Sequence, residues 1–152
     1  MGGTDHGVMT SLALLPVHEC ERLLRATVFG RVGIATPERM EVIPVNYAVM
    51  GDAVLIRTTP GSLLDRYADG ATLLLEVDQV DHERWHGWSV VVRGRGERIR
   101  EQQLSSAETR APGPPPWTSG RDIWIRLHWD EITGRKLGAG ELVPTATRRV
   151  WR

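Results

Sequence analysis

The chain has 152 residues, a formal net charge of zero at neutral pH, 41% hydrophobic residues and 25% charged ones. These values suit one globular domain with a sizeable core and exclude the compositions of disordered and membrane-embedded chains. Balanced charge offers no electrostatic footprint for nucleic acid, and no apolar run approaches the roughly 20 residues of a membrane-spanning helix.

Residues 1–11 read as a polar, Gly-rich leader without the basic-then-apolar layout of a secretory signal. Cys20 is the only cysteine, so no intrachain disulfide can form, and the expected setting is cytoplasmic. Pro16 followed by Val17-His18-Glu19-Cys20-Glu21-Arg22-Leu23-Leu24 predicts a short amphipathic helix, with its acidic residues early and Arg25 late, as the helix dipole favours. Strands follow at 31–36 and 41–49. Gly51-Asp52 then makes a tight turn into a strand over 53–58. Pro44 lacks an N–H, so it is expected at a bulge or an unpaired edge.

Ser62 is the predicted N-cap of a short helix over 62–69, and strands are expected at 71–77 and 88–99. The stretch 101–120 ends rich in proline. A last strand over 122–129 alternates Ile123, Ile125 and Leu127 against Trp124, Arg126 and His128. About six strands with little helix predict a mostly β domain over 12–137, a small barrel or sandwich, followed by a tail over 138–152. The basic side chains of that tail, Arg148, Arg149 and Arg152, read as solvated.

His82-Glu83-Arg84-Trp85-His86 matches the zinc-peptidase pattern H-E-x-x-H, which works when a helix sets both histidines on one face. Here it adjoins strand-like sequence on both sides, so an exposed connecting loop is the stronger reading and a zinc hydrolase the weakest of three functions. Gly87-Trp88-Ser89-Val90-Val91 lacks the second glycine of a nucleophile elbow. Arg93-Gly94-Arg95-Gly96 is too short for a dinucleotide fingerprint. Cys20 reads as a core residue. The aromatic set is dominated by Trp85, Trp88, Trp117, Trp124 and Trp129. Trp124 and Trp129 are expected in packing, and Trp117, set in the Pro-rich loop, is expected to cover a ligand.

Three segments carry a specific signal: Ile43-Pro44-Val45-Asn46-Tyr47, Ile56-Arg57-Thr58-Thr59-Pro60-Gly61-Ser62, and Gly87-Trp88-Ser89-Val90-Val91-Val92-Arg93-Gly94. With Phe29-Gly30-Arg31 upstream and Ile132-Thr133-Gly134-Arg135 downstream, their order and spacing resemble the pyridoxamine 5′-phosphate oxidase-like family of FMN-binding split barrels. The resemblance implies a six-stranded split barrel that forms a homodimer, with FMN at the interface. It implies that Pro44, Val45, Asn46 and Tyr47 run beside the flavin ring, that Arg57, Thr58, Thr59 and Ser62 hold the phosphate, and that Trp88 and Ser89 contact the flavin.

The phosphate assignment also has a basis in the residues themselves. A strand end delivers an arginine fork and two hydroxyls, and Gly61-Ser62 opens a helix whose N–H groups favour an anion. The chain departs from the family where a cation commonly follows the serine, because Leu63 and Leu64 stand there. Arg57 is the expected substitute, with Arg66 further along the helix. The leading expectation is an FMN-dependent oxidoreductase acting on a small planar or unsaturated substrate, with the flavin supplying the redox chemistry. Deazaflavin F420 and haem are less favoured cofactors. The alternative is a barrel that has lost tight flavin binding and uses the same cleft for ligand binding or non-redox chemistry. His128 and Arg135 are further candidate polar partners. The resemblance does not extend to oxidation of pyridoxamine phosphate itself.

Overall fold

A computed structural model describes residues 13–106 and 123–138. The helix α1 (Val17–Ala26) begins after Pro16 and buries Cys20, Leu23 and Leu24, an i, i+3, i+4 set that makes one apolar stripe. Burial pushes the Cys20 thiol up from its ordinary value. That thiol packs where a Cβ on Gly134 would come within 2.5 Å of its Sγ, so only glycine lets the helix settle on the barrel there.

The described residues form seven strands, in chain order β1 (Ala13–Leu14), β2 (Phe29–Ala35), β3 (Met40–Met50), β4 (Ala53–Thr58), β5 (Thr72–Asp81), β6 (His86–Arg100) and β7 (Ile123–Leu137). A second helix, α2 (Leu63–Tyr67), lies between β4 and β5. The sheet order is β1-β7-β4-β3-β2-β5-β6, and a further β6–β7 pairing closes six of these strands into an antiparallel barrel, with β1 as a two-residue addition to β7. This is the mostly β, six-stranded architecture expected from the sequence, and Gly51-Asp52 forms the anticipated turn, joining Met50 to Ala53.

Inward residues alternate along each strand as a period of two requires. Val32 and Ile34, Val45 and Tyr47, Val54 and Ile56, Leu73 and Leu75, Trp88 to Val92 at every second position, and Ile123, Ile125 and Leu127 form one core with α1. No helix among the described residues is long and apolar enough to cross a membrane.

The strand boundaries that matter most here extend beyond the sequence reading. β5 continues to Asp81, β6 begins at His86, and β7 runs on to Leu137. The first four residues of the H-E-x-x-H segment, His82 to Trp85, are therefore the tip of a hairpin whose last pair is Asp81 with His86. Asp81 caps the turn by accepting from the Glu83 and Arg84 N–H groups at 3.0 Å each, and Trp85 takes a φ of 54°. Without a helix, the two histidines lose the shared face that zinc chemistry needs. Among the described residues no three His, Cys, Asp or Glu side chains gather to hold a metal.

Candidate functional site

β4 pairs with β3 only over Tyr47–Met50, whereas β2 pairs with β3 over Met40–Asn46. Among the described residues, the edge of β3 from Met40 to Asn46 that faces away from β2 is therefore unpaired, and Pro44 lies within it, as a residue without an N–H should. Strand alternation divides the predicted ring-side segment between two faces. Val45 and Tyr47 point into the core, 6% and 2% exposed, while Pro44 and Asn46 face outward. The Tyr47 backbone N–H is also taken, donating to the Val28 carbonyl at 2.9 Å. Of the four residues, only Pro44 and Asn46 keep side chains on the site face.

The β3–β4 pairing ends at Tyr47 with Ile56, so Asn46 and Arg57 are the next residues of the two strands beyond it. Arg57 in turn lies opposite Trp124 of β7, with its guanidinium carbon 5.3 Å from the indole centroid. The Trp124 Nε1 is buried and finds no hydrogen-bond acceptor among the described residues, an arrangement that costs about 1–3 kcal/mol unless something satisfies it. Sequence reasoning had put Trp124 in packing. Its position opposite Arg57 was within reach of the strand alternation, but its missing acceptor was not.

At the end of β4, Thr58 Oγ1 lies 2.7 Å from Ser62 Oγ, and Ser62 caps α2 by accepting the Asp65 N–H at 3.2 Å. Asp65 completes the loop: its Oδ2 accepts the Gly61 N–H at 2.7 Å and its Oδ1 accepts from Arg98 Nε. These two contacts, Gly61 first, hold its carboxyl below the ordinary value. The N–H groups expected to be free for an anion are thus partly engaged by the chain's own carboxylate, a correction to the sequence reading. Thr59 is half-buried in the turn, its carbonyl accepting the Ser62 N–H at 3.2 Å. Arg66 does not turn back toward the loop. It donates to the Tyr67 hydroxyl at 3.0 Å and lies over that ring.

The third predicted segment is also divided. Trp88, 3% exposed, is a core residue inside the barrel, because the strand parity that turns Ser89 outward turns its neighbour inward. Ser89 lies opposite Asp78 and Arg135 on the outer face. There Arg31 reaches Glu76 at 3.1 Å and Asp78 at 3.5 Å, and burial, then Asp78, raises the Glu76 carboxyl. Within one chain, three interstrand steps separate Ser89 from Asn46, about 14 Å. His128 Nε2 sits 3.2 Å from Glu97, four residues along β7 from Trp124 and away from Arg57. Trp117 lies outside the described residues.

One chain therefore assembles Asn46, Arg57, Thr58, Ser62 and Trp124 at the open part of the barrel. The family model for pyridoxamine 5′-phosphate oxidase matches residues 16–136. An FAD-binding protein from Mycobacterium smegmatis superposes with a TM-score of 0.70 at 32% identity, covering 82% of this chain and 98% of that one. A Corynebacterium glutamicum protein provisionally assigned as a pyridoxamine 5′-phosphate oxidase superposes with a TM-score of 0.65 at 30% identity, covering 86% and 96%. An uncharacterized protein of Mycobacterium tuberculosis is 27% identical over 132 residues, 83% of this chain and 86% of its own length.

Proposed function

The chain belongs to the pyridoxamine 5′-phosphate oxidase family, and we propose that it is a flavin-dependent oxidoreductase that holds its cofactor against Asn46, Arg57, Thr58 and Trp124. The observation that carries this reading is the Arg57–Trp124 pair, which sets a cation beside a buried donor without an acceptor. An acceptor-rich ligand tail would give the indole N–H its acceptor and lie within the field of the guanidinium charge. The unpaired backbone of β3 beside Pro44 and Asn46 suits the polar edge of a flat ring system, whose remaining faces need apolar cover.

The flavin supplies electron or hydride transfer when bound, to a small planar or unsaturated substrate. The residues of the chain supply position: Asn46 and the β3 edge orient the ring, Arg57 and Thr58 hold its tail, and the barrel wall excludes water from one side. We assign no acid or base among them. FMN was the cofactor expected from the sequence, and the M. smegmatis relative described as FAD-binding supports the wider class of flavins.

A homodimer belongs to the same proposal. Met40 and Val42 are 67% and 68% exposed on the outer face, next to the unpaired β3 edge. A second copy covering them brings a Ser89-side surface toward the Asn46–Arg57 side, which a single chain keeps about 14 Å apart.

The test is the absorption spectrum of the purified protein, followed by titration with FMN and FAD while flavin fluorescence is recorded. Saturable binding that weakens at least tenfold in Trp124→Phe, with the fold intact by circular dichroism, is the expected result. A colourless protein indifferent to FMN, FAD, F420 and haem would overturn the reading and leave the cleft to ligand binding or non-redox chemistry. Photoreduced protein mixed with a small quinone then tests the reaction class.

A further inference from the structure

We propose that Trp85, at the tip of the β5–β6 hairpin, acts across the dimer, packing over the ligand held at Asn46 and Trp124 of a second copy. The proposal rests on the flavin and homodimer readings above.

Trp85 is 83% exposed and stands at a φ of 54°, in the left-handed region that bulky residues avoid. Among the described residues no other non-glycine residue does so. The turn that holds it is well fixed. Asp81 accepts the Glu83 and Arg84 N–H groups, and the chain leaving β7 braces the tip, since a Cβ on Gly138 would lie 2.4 Å from the Trp85 carbonyl oxygen. The hairpin thus keeps a large indole in water on a strained, rigid turn. Neither cost serves the fold of one chain, because glycine would suit the backbone and a polar side chain the exposure. Such an outlier points to a contact outside the chain.

The occupant that this surface fits is a second copy. Phe29, Met40, Val42, Val80, Leu137 and Leu14 are exposed, and strand parity sets all of them on the outer sheet face that ends at the tip. Charge on that face is mixed. Arg31 lies beside Glu76 and Asp78, Arg93 beside Glu131, and Arg135 adds a further cation. An identical face meets both signs there, whereas nucleic acid or anionic lipid would need a patch of one sign.

The pairings of Asn46 with Phe29, Arg31 with Glu76, and Asp78 with Ser89 put Asn46 and Ser89 at one height across the sheet. The tip continues β6 past that height, but three interstrand steps, about 14 Å, keep it from Asn46 of its own chain. A copy laid face to face, with β6 of one over β3 of the other, removes this separation. The indole then supplies the apolar cover that the outward side of a flat ring lacks in a single chain.

The experiment titrates the full chain with riboflavin, FMN and FAD, following flavin fluorescence, for the wild type, Trp85→Ser and Trp85→Gly, with mass from light scattering. Both variants are expected to remain dimers and to bind flavin about tenfold more weakly. Trp85→Gly should melt no lower than the wild type, because glycine takes this backbone without strain; a lower melt would place the indole in its own chain's packing and overturn the proposal. A doubly tagged heterodimer of Trp85→Ser with Trp124→Phe tests the direction. Contact across the dimer leaves one site with both indoles intact, so about half the sites keep wild-type affinity. Contact within a chain damages every site, and that result overturns the proposal. Wild-type affinity in Trp85→Ser, or a monomeric wild type that binds flavin fully, defeats the proposal alone. If riboflavin, FMN and FAD all fail to bind the wild type, the flavin reading itself falls and the proposal with it.

Discussion

The Tyr47 hydroxyl donates to the Leu24 carbonyl oxygen at 2.7 Å, fastening β3 to the last turn of α1 from inside the core. Thr27 Oγ1, at the end of the same helix, is also within hydrogen-bonding reach of that hydroxyl. One phenol therefore joins the helix to a strand whose other face carries Pro44 and Asn46, so packing in the core sets the angle at which the site strand leaves the barrel.

Tyr47→Phe should lower stability by about 1–2 kcal/mol, since it leaves a carbonyl and a hydroxyl near the core short of a partner. Burial pushes the phenol above its ordinary value. The folded state thus keeps a proton that the unfolded chain releases near pH 10, so this contribution is intact below pH 10 and declines above it. Urea denaturation from pH 8 to 11 should show a shallower alkaline decline in the variant; parallel curves would refute the assignment.

Gly94 marks the bulge where β6 changes register against β7, and a Cβ there would lie 1.8 Å from the His128 carbonyl oxygen. The three nearest atoms are all backbone of His128 and Trp129, so nothing soft can give way. Gly94→Ala is expected to cost more than about 3 kcal/mol or to yield insoluble protein. Gly33→Ala, whose nearest contact would be an ordinary 3.6 Å to Leu74, is expected to fold normally. Equal thermal melts for the two variants would contradict this account of barrel closure.

Val42→Glu places charge on the exposed outer face of β3 while leaving the core untouched. If a second copy covers this face, light scattering should report half the wild-type mass and flavin affinity should drop at least tenfold. A wild-type protein that is already monomeric, yet binds flavin fully, would remove the dimer from the proposed site.

The sequence made the barrel readable chiefly through alternation. Ile123, Ile125 and Leu127 stand inward against outward Trp124 and Arg126, and Gly51-Asp52 turns where expected. Alternation failed where polar residues interrupted it. Asp130, Glu131 and Gly134 hide the second half of β7, which is held by pairing to β6 rather than by an apolar face of its own. The same parity rule limits the site. Contiguous segments such as 44–47 and 88–89 cannot present every side chain to one ligand, so Val45, Tyr47 and Trp88 went to the core. The Asp65–Gly61–Arg98 contacts were beyond reach, because Arg98 arrives from a strand 33 residues further along the chain.

β7 is the strand on which closure depends, since among the described strands it alone pairs with both β4 and β6. Ala53 must wait for His128, and Thr58 for Ile123, before either finds its partner on β7. During synthesis, then, β2 to β6 leave the ribosome as an open sheet with two raw edges, and the barrel can shut only after residue 137 has cleared the exit tunnel. Through that interval the unfinished chain depends on slow, long-range pairing and is most exposed to sticking to its neighbours.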